Sequence, residues 1–161
     1  MAIRMIVKEP DEVLHKRAKE VQVLTPNVKK LLNDMRDTMY DAEGVGLAAP
    51  QVGILKRLIV IDADDEHGLI QMINPEIISM EGEQLGAEGC LSIPGLNGDV
   101  RRAETVTVRG LNREGEEIMI TGSGLLARAF QHEIDHLNGV LFTDIAEKVY
   151  EYTAERDESE E

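Results

Sequence analysis

Two stretches of the chain repeat apolar residues with the period of a helix, and several shorter ones follow the period of a strand. The first helical pattern opens at Thr25-Pro26, a cap residue followed by proline at the first helical position. Val28, Leu31, Leu32, Met35 and Met39 then share one face, which predicts a helix to about Ala42, stopped before Gly44. The second pattern covers residues 124–137. It holds no proline, Ser123 stands where a cap is needed, and Gly139 fits just past the end. Ahead of both, residues 1–24 read as an N-terminal arm that wraps the domain, with a short helical or irregular piece at 11–18.

Residues 57–61 are rich in β-branched side chains and predict a strand, followed by a polar loop at 62–68. Residues 69–73 predict a second strand, ended by Asn74-Pro75, and 76–80 a third. After Glu81-Gly82 the chain is glycine-rich through Gly98, and no element is assigned there. Residues 105–109 and 117–121 alternate around a turn at 111–115, the pattern of a hairpin. A last amphipathic piece is expected from 144 to about 154. The fold class is α+β: a mostly antiparallel sheet packed around one central helix. With no internal repeat and no Pro/Gly-rich linker, residues 1–161 read as one domain, with an acidic, disordered end at about 155–161.

Composition narrows this picture. Aromatic residues make up 3% of the chain and tryptophan is absent, so the core must be Leu, Ile, Val, Met and Ala. No apolar run reaches the roughly eighteen residues needed to span a bilayer, and Met1-Ala2-Ile3-Arg4 does not open a signal peptide. The single cysteine, Cys90, excludes an internal disulfide and fits a reducing cytoplasm. A net charge of −14 argues against general affinity for nucleic acid, and no basic patch is obvious along the chain. His15 has no partner pattern and His67 sits among acids on a polar loop; both read as surface residues.

The second helix carries the chemistry, Gln131-His132-Glu133-Ile134-Asp135-His136. Positions four apart on a helix lie one above the other, so His132 and His136 can offer two imidazoles to one metal ion. Glu133 lies on the neighbouring stripe, placed to serve a metal-activated water as general base. The competing reading is a buried helix with two satisfied histidines. Two imidazoles leave a metal short of a third protein ligand. Cys90, in Glu88-Gly89-Cys90-Leu91-Ser92, is either that ligand, set in a loop, or a small core residue; residue types alone leave both open. Gly44-Val45-Gly46-Leu47-Ala48-Ala49 matches the loose dinucleotide pattern G-x-G-x-x-A. A helix precedes it and Pro50 breaks any helix after it, so the nucleotide reading is rejected. Its glycines either let a backbone approach a ligand closely or make a simple helix-to-strand connection.

Three blocks together, Gly44-Val45-Gly46-Leu47-Ala48-Ala49-Pro50-Gln51, Glu88-Gly89-Cys90-Leu91-Ser92 and Gln131-His132-Glu133-Ile134-Asp135-His136, resemble those of the peptide deformylases in order and kind. The N-terminal arm is also similar to theirs. The resemblance implies a hydrolase that removes the N-terminal formyl group from new polypeptides beginning with formyl-methionine. It implies Cys90, His132 and His136 as metal ligands and Glu133 as general acid/base. Gln51 and the backbone N–H of Leu91 would stabilise the oxyanion, and backbone groups near Val45, Gly46 and Gly89 would pair with an extended peptide. Arg102 matches a family arginine near the substrate chain, and Ala129-Phe130 stand where residues line the side-chain pocket. One divalent metal ion is implied, Fe2+ in the cell, with Ni2+ or Co2+ as working substitutes; ligand type alone suits Zn2+. The implied partners are N-formylmethionyl nascent chains and, transiently, the ribosome, although the acidic run 157–161 does not resemble a basic docking helix. Two other readings compete. A metallo-endopeptidase would share the His-Glu-x-x-His helix but not the other blocks. A non-catalytic structural metal site would call for four protein ligands.

Overall fold

The computed structural model describes residues 2–151. Among them the strands form two sheets, and every pairing between these strands is antiparallel. The larger sheet has the order β1 (Gly46–Ala48), β2 (Leu58–Asp62), β3 (Leu69–Glu81), β6 (Thr105–Leu111), β7 (Glu117–Ser123). The smaller one runs β4 (Gln84–Cys90), β5 (Ile93–Arg102), β8 (Lys148–Glu151). Helix α1 (Pro26–Asp41) starts as expected, with the Thr25 hydroxyl accepting from the Val28 N–H. Helix α2 (Gly124–Leu137) is the central element.

Strand β2 explains its own sequence. Leu58 and Val60 pack with Leu31, Leu32 and Met35 of α1, while Ile59 and Ile61 pack with Ala127, Phe130 and Ile134 of α2. A strand covered on both faces reads as a continuous apolar run rather than an alternation. The arm holds a short 3-10 turn, Glu12–His15, capped by Asp11, and His15 is exposed beside Glu9. His67 is exposed as well.

Four expectations are corrected. Residues 69–73 and 76–80 are not separate strands: β3 runs through Asn74-Pro75 as a bulge, where the register against β6 shifts between Ile73 and Glu76. Proline has no N–H to give a ladder, and a bulge is where that loss is tolerated. The glycine-rich stretch is a hairpin, β4 and β5 joined by Leu91-Ser92, so Cys90 ends a strand rather than sitting in an open loop. Its glycines mark close approaches: a Cβ at Gly98 would lie 2.9 Å from the Phe142 ring. The expected piece 144–154 is instead a short helix α3 (Phe142–Ile145) followed by β8, whose pairing with β5 supplies hydrogen bonds a frayed helix would lack. Its last residues and the acidic end 155–161 lie outside the described residues. Finally, Ser123 does not cap α2, because its hydroxyl pairs with Thr105. Glu104 takes the Gly124 N–H instead, through both its carbonyl and its carboxylate.

Asn74 holds the bulge. It adopts φ 53°, and its amide both accepts from the Val21 N–H at 2.9 Å and donates to the Val21 carbonyl at 3.0 Å. One side chain thus imitates a strand partner and fastens the arm to β3. Asn74→Ala should cost about 2–3 kcal/mol, from two lost hydrogen bonds and a left-handed backbone without glycine or asparagine. Asn74→Gly, free of the backbone penalty, should cost less. Urea denaturation of the two variants checks the order.

Candidate active site

Strand β1 is an edge of the larger sheet and β4 an edge of the smaller one. The two edges face each other across a cleft of about 330 Å³, with the first half of α2 as its floor. Gly44, Val45 and Gly46 form one wall, Ala87 and Gly89 the other, and Leu125, Arg128 and Ala129 lie beneath. Of the pair expected at the side-chain pocket, Ala129 lines the cleft while Phe130 is fully buried in the core.

At the inner end Cys90, His132 and His136 bring a thiol and two ring nitrogens within 4.8 Å of one another. The Cys90 Sγ is 3.3 Å from His136 Nε2. His132 Nδ1 donates to Glu88 Oε1 at 2.8 Å, which fixes the ring and leaves Nε2 free to face the thiol. Burial, reinforced by His132 beside it, holds His136 well below the ordinary imidazole value, hence neutral, the form that binds metal. This donor set fits a divalent transition metal: three soft or intermediate ligands, with the cleft open on the fourth side.

Glu133 adjoins this trio. It is 4% exposed, and its Oε1 has no hydrogen-bond partner among the described residues. Burial pushes its carboxyl up to about 7. Gly46 explains how the edge strand fits against it: a Cβ there would stand 2.7 Å from Glu133 Oε2. Gln51 is also oriented by its surroundings. Its Oε1 accepts from the Ala48 N–H at 3.0 Å, so its Nε2 must point the other way, to Ser92 Oγ at 3.1 Å and Cys90 Sγ at 3.6 Å. Leu91 lines the cleft beside Cys90. The Val45 carbonyl accepts from the Asp62 N–H and so anchors β1.

Arg102 is not among the residues that line the cleft. It is buried, donating from two nitrogens to Glu88 and from a third to Asp135. Glu88, which sequence reasoning quoted without a role, gathers the whole cluster: Arg102, Arg128 and His132 all donate to it. Burial alone would raise its carboxyl, but the hydrogen bonds from Arg102 and His132 outweigh that and hold it well below the usual carboxylate range. The available signal was a charged residue two positions before Cys90, on the same face of a strand; it was lost because the strand was not recognised.

The family model for polypeptide deformylase matches residues 3–151. The chain belongs to the polypeptide deformylase family. A peptide deformylase from Carboxydothermus hydrogenoformans is 57% identical over 149 residues, 92% of this chain and 97% of that protein. Peptide deformylase 1 of Bacillus subtilis is 53% identical over 150 residues, 93% of this chain and 94% of that one. Among solved structures, a peptide deformylase from Legionella pneumophila superposes with a TM-score of 0.86 at 55% identity, covering 89% of this chain and 86% of that one. The enzyme from Thermotoga maritima gives 0.88 at 42% identity, covering 92% and 100%. The deformylase family is metal-dependent, and membership supports the deformylase reading over an endopeptidase that would share only the His-Glu-x-x-His block. No helix among the described residues is long and apolar enough to cross a membrane.

Glu88→Gln keeps the shape of the deformylase cluster but removes the charge that two buried guanidinium groups share. Breaking a buried pair in this way costs about 3–5 kcal/mol. Loss of the His132 support should also weaken metal binding about 10–100-fold. Denaturation and competition with a chelator measure the two effects separately.

Proposed function

We propose that Cys90, His132 and His136 hold one ferrous ion and that Glu133 moves the proton in the family's reaction. That reaction removes the N-terminal formyl group from nascent polypeptides and releases formate. The observation that carries the assignment is a thiol and two imidazoles within 4.8 Å at the end of an open cleft, beside a buried carboxylate with a free oxygen. When bound, the cation supplies Lewis-acid activation of the attacking water and of the formyl oxygen.

The protein groups do the rest. Glu133 accepts a proton as water attacks the formyl carbon, then passes it to the leaving amine as the C–N bond breaks. Charge developing on the formyl oxygen meets the Gln51 Nε2–H, oriented before the reaction begins, and the Leu91 N–H. An extended substrate lies between the β1 and β4 edges near Val45, Gly46 and Gly89, pairing as an added strand. Its methionine side chain enters the cleft floor at Leu125 and Ala129. Arg102 supports this site through Glu88 rather than through the substrate.

Ferrous iron is favoured over zinc on chemical grounds. A thiolate neutralises part of the cation's charge and weakens it as a Lewis acid. Iron, nickel and cobalt expand their coordination more readily than a thiolate-bound zinc. The substrate class implies a cytoplasmic enzyme, one catalytic domain throughout, that meets formyl-methionyl chains as they leave the ribosome.

Glu133→Ala should retain metal and lose at least about 10²-fold in kcat, the usual contribution of a general base. A variant with more than a tenth of the parent rate in a formate-release assay would remove Glu133 from the mechanism. Zinc, nickel and iron forms of one preparation should differ, with iron and nickel fast and zinc slow. Equal rates in all three would remove the iron assignment and leave the deformylase activity intact.

A further inference from the structure

Gln51 and Ser92 stand 41 residues apart in the chain. One lies in a short 3-10 turn after β1 (Ala49–Val52), the other in the turn between β4 and β5. They are clasped twice. Side chain to side chain, Gln51 Nε2 donates to Ser92 Oγ at 3.1 Å, and both residues are buried. On the main chain, the N-terminal arm reaches both segments. The Val7 N–H donates to the Gln51 carbonyl at 2.7 Å and the Glu9 N–H to the Ser92 carbonyl at 2.9 Å. Two donors two residues apart on the arm thus span the gap between the turns.

That part of the arm is tied down at both ends. Before it, the Arg4 N–H donates to Thr38 Oγ1 at 2.9 Å, and the Arg4 guanidinium pairs with the buried Asp34 of α1. After it, Leu14 is fully buried in a cluster with Ile93, Val100, Leu141 and Phe142, on which Val7 also packs. A primary amide has two N–H hydrogens and one oxygen to satisfy. In Gln51 the oxygen is taken by the Ala48 N–H and one hydrogen by Ser92 Oγ. The second hydrogen faces Cys90 Sγ, 3.6 Å from the nitrogen, and so faces the site. With two of its three positions fixed, the planar amide cannot turn. The Ser92 bond is also sensitive to spacing: a slip of about half an ångström between the two turns would take it out of hydrogen-bond reach.

We propose that Ser92 is a positioning residue for the amide of Gln51, and that the arm, through the Val7 and Glu9 N–H groups, sets the spacing of the two turns on which that bond depends. The proposal rests on the reading of Gln51 as an oxyanion donor. A donor held in advance needs no reorganisation as charge develops, and one free to rotate loses part of its effect. Ser92 and the arm therefore act on kcat and not on substrate binding.

The test is a double-mutant cycle in the nickel-loaded enzyme, with kcat and KM for formate release measured separately. Gln51→Leu should lower kcat about 10²–10³-fold. Ser92→Ala, and Val7→Pro, which deletes one arm N–H, should each lower it about 3–10-fold, the worth of one hydrogen bond, with KM changed less than about twofold. Added to Gln51→Leu, each should lower kcat by less than about twofold, because the group they orient is gone. A role in stability alone would give the same loss in both backgrounds, and that result overturns the proposal while leaving Gln51 its place. An unchanged kcat in Ser92→Ala overturns it too. An unchanged kcat in Gln51→Leu removes the oxyanion reading and the proposal together. Hydrogen exchange gives a readout apart from catalysis. The Val7 and Glu9 amides of the nickel-loaded parent should exchange at least about tenfold more slowly than in a free peptide of residues 2–12. Exchange at the peptide rate overturns the part given to the arm. If Val7→Pro does not fold, the Ser92 cycle and the exchange rates decide the matter.

Discussion

The site depends on one buried carboxylate, Glu88, and on a match between two periodicities. Gly86, Glu88 and Cys90 lie two apart on β4 and point inward together. Arg128, His132 and His136 lie four apart on α2. Two residues of strand advance about 6.7 Å and four residues of helix about 6 Å, so strand and helix stay in step for three rungs. The rungs are visible in the distances. A Cβ at Gly86 would stand 3.0 Å from Arg128 Nη2, Glu88 Oε1 is 2.8 Å from His132 Nδ1, and Cys90 Sγ is 3.3 Å from His136 Nε2. The middle rung sets the register. A buried carboxylate must be paired, and its donors Arg102, Arg128 and His132 come from β5 and α2. A slip of one residue along β4 would turn Glu88 and Cys90 to the wrong face together.

This arrangement is not an efficient way to gain stability. An apolar core of the same volume often holds a fold as well as a buried ion cluster or better. What the cluster supplies is direction. With His132 Nδ1 committed to Glu88, the ring presents Nε2 to the thiol, and the proposed metal ligands are preset before any cation arrives. Arg102 belongs to this support. Its contact with Asp135 ties the His-Glu-x-x-His turn to the small sheet, and its contact with Glu88 steadies the carboxylate that holds His132.

The sequence made the helices legible because their apolar period, proline and glycine signals all agree. It also brought His132, Glu133 and His136 into view, since a spacing of four on a helix is local information. What it hid was non-local. The β4–β5 hairpin looked irregular because glycine replaces side chains wherever Arg128, Asn97 or Phe142 comes close. A strand made of such positions has no apolar alternation to read. Asn74-Pro75 looked like a strand end because a bulge and a stop use the same residues. The contacts of Glu88 and Ser92 were invisible for a further reason. The meaning of a polar side chain depends on its partner, and these partners sit tens of residues away.

Two carboxylates near the Cys90–His132–His136 trio show how environment alone divides labour. Glu88 and Glu133 are both buried, 6% and 4% exposed. Burial raises both, but Glu88 is met by two guanidinium groups and an imidazole and stays ionised. Glu133 lacks such donors, keeps Oε1 free, and is left at about 7. A carboxylate fixed in one charge state can orient a ligand but cannot exchange a proton near neutrality. One poised near neutrality exchanges protons readily but would make an unreliable anchor. The chain keeps the two apart by using β4 for one and the bare Gly46 edge of β1 for the other. That glycine must stay bare, because any side chain there would fill the space in which the free carboxylate works.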